Sequence, residues 1–243
     1  MRDDSRYLSQ TGPALAASQG LDHQSRPGIR PKKGARDRLI CLGASHPDWA
    51  FGYEDETWWS RLARPSLHAW AQADKPLRLV EQTVSKGDPE PKALAAYGLL
   101  VALPGPDGVA KEQVWLRFVE GHPISSVSIQ FLEWVCERLE SLGKQALLLV
   151  WDNASWHASR AVRTWLSEHN RQVKREGQGV RIVACYLPTK SPWLNPIEPR
   201  WIHAKRKVVE PDRLLGAREL AERVCAHFSC QHDTHLPISK NVA

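Results

Sequence analysis

Gln145-Ala-Leu-Leu-Leu-Val-Trp-Asp152 decides the fold. An unbroken apolar run of strand length has no polar face to offer water, so it predicts a central strand covered on both sides. Upstream, Ser125 to Leu142 carries Val127, Phe131, Leu132, Val135 and Leu139 at helical spacing and stops at Gly143, where a C-terminal glycine belongs. Downstream, a helix is expected from Ser159 to about His169, a polar loop from Asn170 to Gly179 and a second buried strand from Val180 to Leu187. Pro188 to Asn195 reads as a turn-rich loop, and Pro196 opens a helix as a first-turn proline does.

Working toward the N-terminus, Gln113 to Val119 and Lys92 to Leu103 predict two strands, antiparallel about the turn signal Pro104-Gly-Pro-Asp-Gly108. Leu77 to Thr83 reads as a short strand, Trp49 to Tyr53 as a strand running into Glu54-Asp55-Glu56, and Ala35 to Ala44 as a short helix. The class is α/β, a mixed sheet flanked by helices. Its organisation is an extended or disordered arm (1–35), one large domain (36–215) and a C-terminal helix and tail (216–243). The arm is rich in Ser, Gln, Gly, Pro and charge, without a sustained period of 2 or 3.6.

A chain of 243 residues with 42% hydrophobic and 25% charged side chains suits one core that needs no disulfide staples, and excludes a rod or a wholly disordered chain. Five Cys, odd in number and without tight paired spacing, predict free thiols in a reducing compartment. The longest apolar stretch, Ala93 to Leu103, is too short to span a bilayer, so a cytoplasmic protein without membrane partners is expected. The net charge of +6 favours polyanionic partners. Eleven Trp against four Phe and four Tyr assign much of the packing to indole rings; Trp58, Trp59, Trp193 and Trp201 lie close to the acidic segments and read first as core, second as stacking surfaces for bases.

Three acids stand where a purely structural carboxylate is least at home: Asp55 and Asp152 at the ends of apolar strands, and Glu198 in the first turn of a helix. Strand ends of open α/β sheets are where ligands bind. Three carboxylates in one pocket repel unless hard cations such as Mg²⁺ hold them. Each also has a plain reading, as a turn or cap residue for Asp152 and as a complement to the helix dipole for Glu198. Glu54 and Glu56 compete with Asp55, because a one-residue slip in a strand changes which acid faces the site.

Trp151-Asp-Asn-Ala-Ser-Trp-His157 and Leu187-Pro-Thr-Lys-Ser-Pro-Trp-Leu-Asn-Pro-Ile-Glu-Pro-Arg-Trp201 resemble the second and third acidic motifs of the DDE transposases, in the insertion-sequence branch related to mariner elements. Asp55-Glu-Thr-Trp58 resembles the first motif, and the similarity spans roughly Arg36 to Val209. The resemblance implies a ribonuclease H-like fold and an enzyme that cuts and joins DNA with Mg²⁺ or Mn²⁺, two ions at a time. Asp55, Asp152 and Glu198 would be its catalytic, metal-binding triad. In such enzymes activated water cuts the element ends and the freed 3′-hydroxyl attacks target DNA. Asn153, His157 and Asn195 would support the site, Asn195 as a helix cap. Lys190, Arg200, Lys205, Arg206 and Lys207 make the third-motif region basic and are the candidate DNA contacts.

Members of this family usually carry a helix-turn-helix before the catalytic domain, and the short polar arm offers none. The expectation is therefore a separate helix-turn-helix polypeptide, or a truncated or decayed copy acting only as a DNA-binding module. A homodimer is expected by analogy, since two element ends are handled together. Near the C-terminus, Cys225, His227, Cys230, His232 and His235 have the residue types of a metal cluster but no zinc-motif spacing; a helix end running into a frayed tail is the favoured reading. A glycoside hydrolase carboxylate pair ranks far lower, because it gains nothing from basic charge.

Overall fold

The computed structural model describes residues 29–63, 82–104, 110–188, 191–209 and 213–238. Along the chain these form α1 (Ile29–Ala44), β1 (Trp49–Ser60), β2 (Ala93–Pro104), β3 (Ala110–Val119), α2 (Ser125–Ser141), β4 (Ala146–Trp151), α3 (Arg160–Glu176), β5 (Arg181–Tyr186), α4 (Ile197–Val208) and α5 (Ala217–Phe228). One sheet has the order β3-β2-β1-β4-β5. Its β1, β4 and β5 run parallel, while β2 and β3 fold back antiparallel. β4 is buried at every position, as its unbroken apolar sequence requires.

Side chains alternate between the two faces of a strand, and here the faces carry different helices. One face buries Tyr97, Leu99, Leu147 and Leu149 against Val127, Phe131 and Val135 of α2 and Val162 and Leu166 of α3. The other buries Trp59, Ala96 and Leu100 against Ile197, Trp201 and Ala204 of α4 and Leu220 and Val224 of α5. Leu39 of α1 packs on this second face with Val150 and Cys185. All five cysteines are free thiols.

Several elements differ from their sequence-based bounds. β1 continues past the acids to Ser60, because β2 pairs with it as far as Ser60↔Ala93. Its parallel pairing with β4 nevertheless stops at Tyr53↔Val150. Glu54, Asp55 and Glu56 thus stand in mid-strand, at the point where β1 loses its β4 neighbour. Asn170 to Gly179 is mostly not a loop. α3 runs on to Glu176 and closes at Gly177, whose φ of 68° is the left-handed C-terminal conformation that glycine accommodates. Lys174 and Arg175 in its last turn complement the helix dipole, a signal that loop-like polarity obscured.

α1 starts at Ile29, ahead of the expected Ala35. Residues 1–28 of the arm, 77–81 of the expected short strand and 105–109 of the expected turn lie outside the described residues. The C-terminal tail is not frayed up to residue 238. Leu236 bridges to Val119 at the end of β3, its N–H donating to the Phe118 carbonyl at 2.8 Å, and Arg117 donates to the Thr234 carbonyl at 2.6 Å.

Candidate active site

Asp55 lies on the α4 face of β1, opposite Gly98 of β2. The missing side chain at Gly98 leaves room for the Trp201 ring, whose Nε1 donates to Asp55 Oδ2 at 2.9 Å. Burial and then the neighbouring charges of Glu198, Glu56 and Asp152 push the Asp55 carboxyl up to about 8, against the Trp201 hydrogen bond. Asp152 follows the last residue of β4 and is half exposed. Its Oδ1 accepts the Ala154 N–H at 2.8 Å and faces His157 Nδ1 at 3.0 Å. Burial would raise this carboxyl, but the His157 and Ala154 hydrogen bonds and the His157 charge hold it below the usual range. Glu198 opens α4, and burial followed by the Asp152 charge raises it, only partly relieved by Lys205.

The three predicted acids are thus brought into mutual electrostatic range from β1, the end of β4 and the start of α4. Two of them are destabilised as anions by the others, which is the donor chemistry that a hard divalent ion relieves. Parallel β1 and β4 deliver Asp55 and Asp152 to the same end of the sheet. Asn195 delivers Glu198: it is buried, and its Nδ2 donates to the Glu54 carbonyl at 3.0 Å. Its cap role is weaker than expected, because Ile197 N–H reaches Asn195 Oδ1 only at 3.5 Å and Pro196 occupies the cap position. The Asn153 amide donates to the Leu187 carbonyl, linking the loops after β4 and β5.

Glu54 and Glu56 point to the opposite face from Asp55 and meet His157 there. His157 Nε2 lies 2.7 Å from Glu56 Oε1 and 3.2 Å from Glu54 Oε2. Trp156 Nε1 donates to the same Glu56 oxygen at 2.7 Å, and the His157 ring stacks on Trp151 at 4.7 Å. His157 is fully buried. Burial disfavours its charge, yet Glu54, the Asp152 and Glu56 hydrogen bonds and the Glu56 charge raise it to about 11. The ligand atoms of Glu54, Glu56 and His157 all lie within 4.8 Å of one another; among the described residues no other group of three potential metal ligands is as tight. That spacing does not extend to Asp55, Asp152 and Glu198, nor to the C-terminal Cys and His residues. There, His232 and His235 form only a pair, their Nε2 atoms 3.2 Å apart.

Of the predicted DNA contacts, Arg200, Lys205, Arg206 and Lys207 lie on the exposed side of α4. Arg200 pairs with Glu112 at 2.6 Å, and the Lys205 ammonium sits 5.9 Å from the centre of the Trp59 ring. Lys190 lies outside the described residues. Trp59 and Trp201 are core, whereas Trp58 and Trp193 are 47% and 52% exposed. Sequence reasoning missed the Trp201–Asp55 contact. The available signal was Gly98, a glycine interrupting an apolar strand, which marks a close approach.

A five-stranded mixed sheet with β1 and β4 adjacent and parallel, acids at their shared end and helices on both faces is a ribonuclease H-like fold. Residues 110–220 match the family model described as "DDE superfamily endonuclease". Solved structures give the same fold. The Mos1 transposase paired-end complex with left transposon end aligns with a TM-score of 0.58 at 14% identity, covering 93% of this chain and 60% of that one. The Mos1 strand transfer complex aligns at 0.54 and 13%, covering 84% and 54%. The Mos1 mariner paired end complex with Mn aligns at 0.53 and 14%, covering 93% and 60%. Residues 110–220 are thus similar to the DDE superfamily endonucleases, and the chain has the fold of these solved Mos1 structures. It spans 54–60% of the length of those chains. A search of curated protein sequences finds no match.

Proposed function

We propose that the chain is the catalytic portion of a transposase, carrying out divalent-metal-dependent DNA cleavage and strand transfer. The observation that carries this reading is the gathering of Asp55, Asp152 and Glu198, in the chain order of the family motifs, at one end of the β1–β4 pair. Their mutually unfavourable charges fit a pair of Mg²⁺ or Mn²⁺ ions, Asp152 being the acid that faces both outward to solvent and inward to His157. Such ions supply activation of water and stabilisation of the leaving oxygen in phosphoryl transfer. The chain's own residues hold the carboxylates in register, through Trp201 at Asp55, His157 at Asp152 and Asn195 at the start of α4. Catalysis then rests on positioning and charge stabilisation, not on a covalent enzyme intermediate.

DNA is the polyanion that the basic side of α4 suits. Arg200, His203 and Lys207 recur at helical spacing and, with Arg138, His227 and the Arg200 partner Glu112, line a groove of about 670 Å³ that would follow a phosphate backbone; Lys205 and Arg206 add charge on the exposed side of α4. The paired-end and strand-transfer complexes among the similar structures support element ends and target as the substrates, and a dimer as the working form. A separate helix-turn-helix polypeptide would supply end recognition. Among the described residues no helix is long and apolar enough to cross a membrane. A DNA-binding module without activity is the second reading, resting on the exposed basic residues of α4 alone.

The test is incubation with duplex DNA carrying the sequences that flank the gene, with Mg²⁺ or Mn²⁺. Cleavage to 3′-hydroxyl ends, absent with a chelator and in Asp55→Ala, Asp152→Ala and Glu198→Ala, is expected. Retarded but uncut DNA indicates the module, and metal-independent cutting contradicts both readings.

A further inference from the structure

We infer that Glu56, backed by Glu54, is a positioning residue for Asp152 and acts through His157. The inference rests on the proposed carboxylate site. Both nitrogens of the buried His157 ring face carboxylate oxygens, Nδ1 to Asp152 Oδ1 at 3.0 Å and Nε2 to Glu56 Oε1 at 2.7 Å. With both acids ionised, the carboxylates only accept and both ring nitrogens donate, which makes the ring a rigid bridge between the two acids. Trp156 Nε1 at 2.7 Å from the same Glu56 oxygen and the Trp151 ring stacked beneath His157 leave that bridge one orientation. Asp152 Oδ1 is thereby engaged inward, and the other oxygen of that half-exposed carboxylate is presented to the site.

Glu54 completes the arrangement. It is 2% exposed and neither carboxylate oxygen has an aligned hydrogen-bond donor, although Oε2 lies 3.2 Å from His157 Nε2. Its nearest cationic neighbour is the bridging ring. The same three groups have chelating residue types. However, 2.7 Å between Nε2 and Oε1 suits a hydrogen bond, whereas two ligands each about 2.0–2.2 Å from an ion in tetrahedral geometry stand about 3.3–3.6 Å apart. The first motif thus contributes two functions from adjacent residues on opposite faces of β1: Asp55 toward the ions, Glu56 toward the bridge that aims Asp152. Partners in the outer shell of a metal site typically change affinity or activity by about 10–100-fold when removed.

The experiment combines Mn²⁺ calorimetry with nitrogen-15 spectra of the histidine rings in the intact chain. In the wild type, His157 should show two slowly exchanging ring N–H protons. Glu56→Ala and His157→Ala should each weaken Mn²⁺ binding about 10–100-fold. The double variant should be no worse than either alone, because the residues act in series, and Glu56→Gln, which keeps an acceptor, should recover most of the loss. If Glu56→Ala does not fold, the wild-type ring protons and Glu56→Gln still decide. One exchanging nitrogen, additive losses, or Mn²⁺ affinity unchanged in Glu56→Ala while Asp152→Ala abolishes it, overturns the inference alone. An additional bound ion that Glu54→Gln removes also overturns it, in favour of chelation. Mn²⁺ binding unaffected by Asp152→Ala overturns the carboxylate site and the inference together.

Discussion

Replacing Gly98 with alanine should destabilise the protein through a side chain that carries no charge. A Cβ at Gly98 would stand 2.6 Å from Trp201 Cζ2, and closer still to Cη2. Non-bonded carbons settle at about 3.5–4.0 Å, so the indole must retreat by roughly 1 Å. It has little room to do so. Trp201 is buried, meets Trp59 and Phe228 edge-on at 5.8 and 5.4 Å, and is tied to Asp55 at 2.9 Å. Gly98 has no left-handed φ, so alanine's lower unfolded-state entropy alone would add about 0.4–1 kcal/mol of stability. Overpacking costs about 1–3 kcal/mol, and a ring held on three sides belongs at the upper end. The clash therefore wins, and a net loss of about 2 kcal/mol lowers the melting temperature by about 4–8 °C in a chain of this size. Thermal unfolding followed by circular dichroism measures it, with Trp201→Phe as the second background. The shorter phenyl ring ends before the clashing atoms, so Gly98→Ala should cost less there. A melting temperature within 1 °C of wild type, or the same loss in both backgrounds, refutes the reasoning.

Other consequences concern pH, buried polar groups and salt. Asp55 and His157 are both raised, so each favours the folded state in its protonated form. The Asp55 contribution is lost as pH rises from the carboxylate range through about 8, and that of His157 as pH rises from about 6.5 through about 11. The metal-free melting temperature should therefore fall between pH 6 and 9; a rise contradicts the burial assigned to Asp55 and the carboxylate neighbours assigned to His157. Because an ion at Asp55 must displace that proton, apparent Mn²⁺ affinity should climb about tenfold per pH unit from pH 6 to about 8 and then level, whereas a flat titration profile excludes Asp55 as a ligand. Arg61 is buried at the end of β1 and donates to the Leu215 carbonyl at 2.6 Å. Arg61→Ala leaves that carbonyl without its donor and should cost about 1–3 kcal/mol in urea unfolding; an unchanged midpoint shows the clamp to be idle. If α4 tracks DNA, alanine at Lys205, Arg206 or Lys207 should each lower the slope of log affinity against log salt by about 1, and an unaltered slope removes α4 from the interface.

The parts of the fold that were legible before any coordinates are those where composition and period agree. The β4 run and the α2 stripe have one reading each, and both stand at their expected places. Polarity misled in α3, where a solvated helix face has the composition of a loop and only the Gly177 stop and the basic last turn distinguish them. β1 was cut short for a related reason: acids inside a strand are costly in isolation, and only its pairing with β2 and the compensation by His157 let it continue. That Asp55, Asp152 and Glu198 come near one another was expected from motif order, from a strand end at Asp152 and a helix start at Glu198, which are local features; Asp55 itself stands in mid-strand. The Glu54–Glu56–His157 bridge could not be expected, since it joins residues about a hundred positions apart. Alternation along β1 shows that Glu54 and Glu56 leave the Asp55 face, but not what awaits them on the other.

The account's central claim is that Asp55, Asp152 and Glu198 together hold divalent ions. Mn²⁺ titration of the purified chain, followed by electron paramagnetic resonance beside Asp55→Ala, Asp152→Ala and Glu198→Ala, tests it most directly. Saturable binding in the wild type that is lost or strongly weakened in all three variants is the predicted result. Binding that is absent from the wild type, or that survives unchanged in the variants, contradicts the claim.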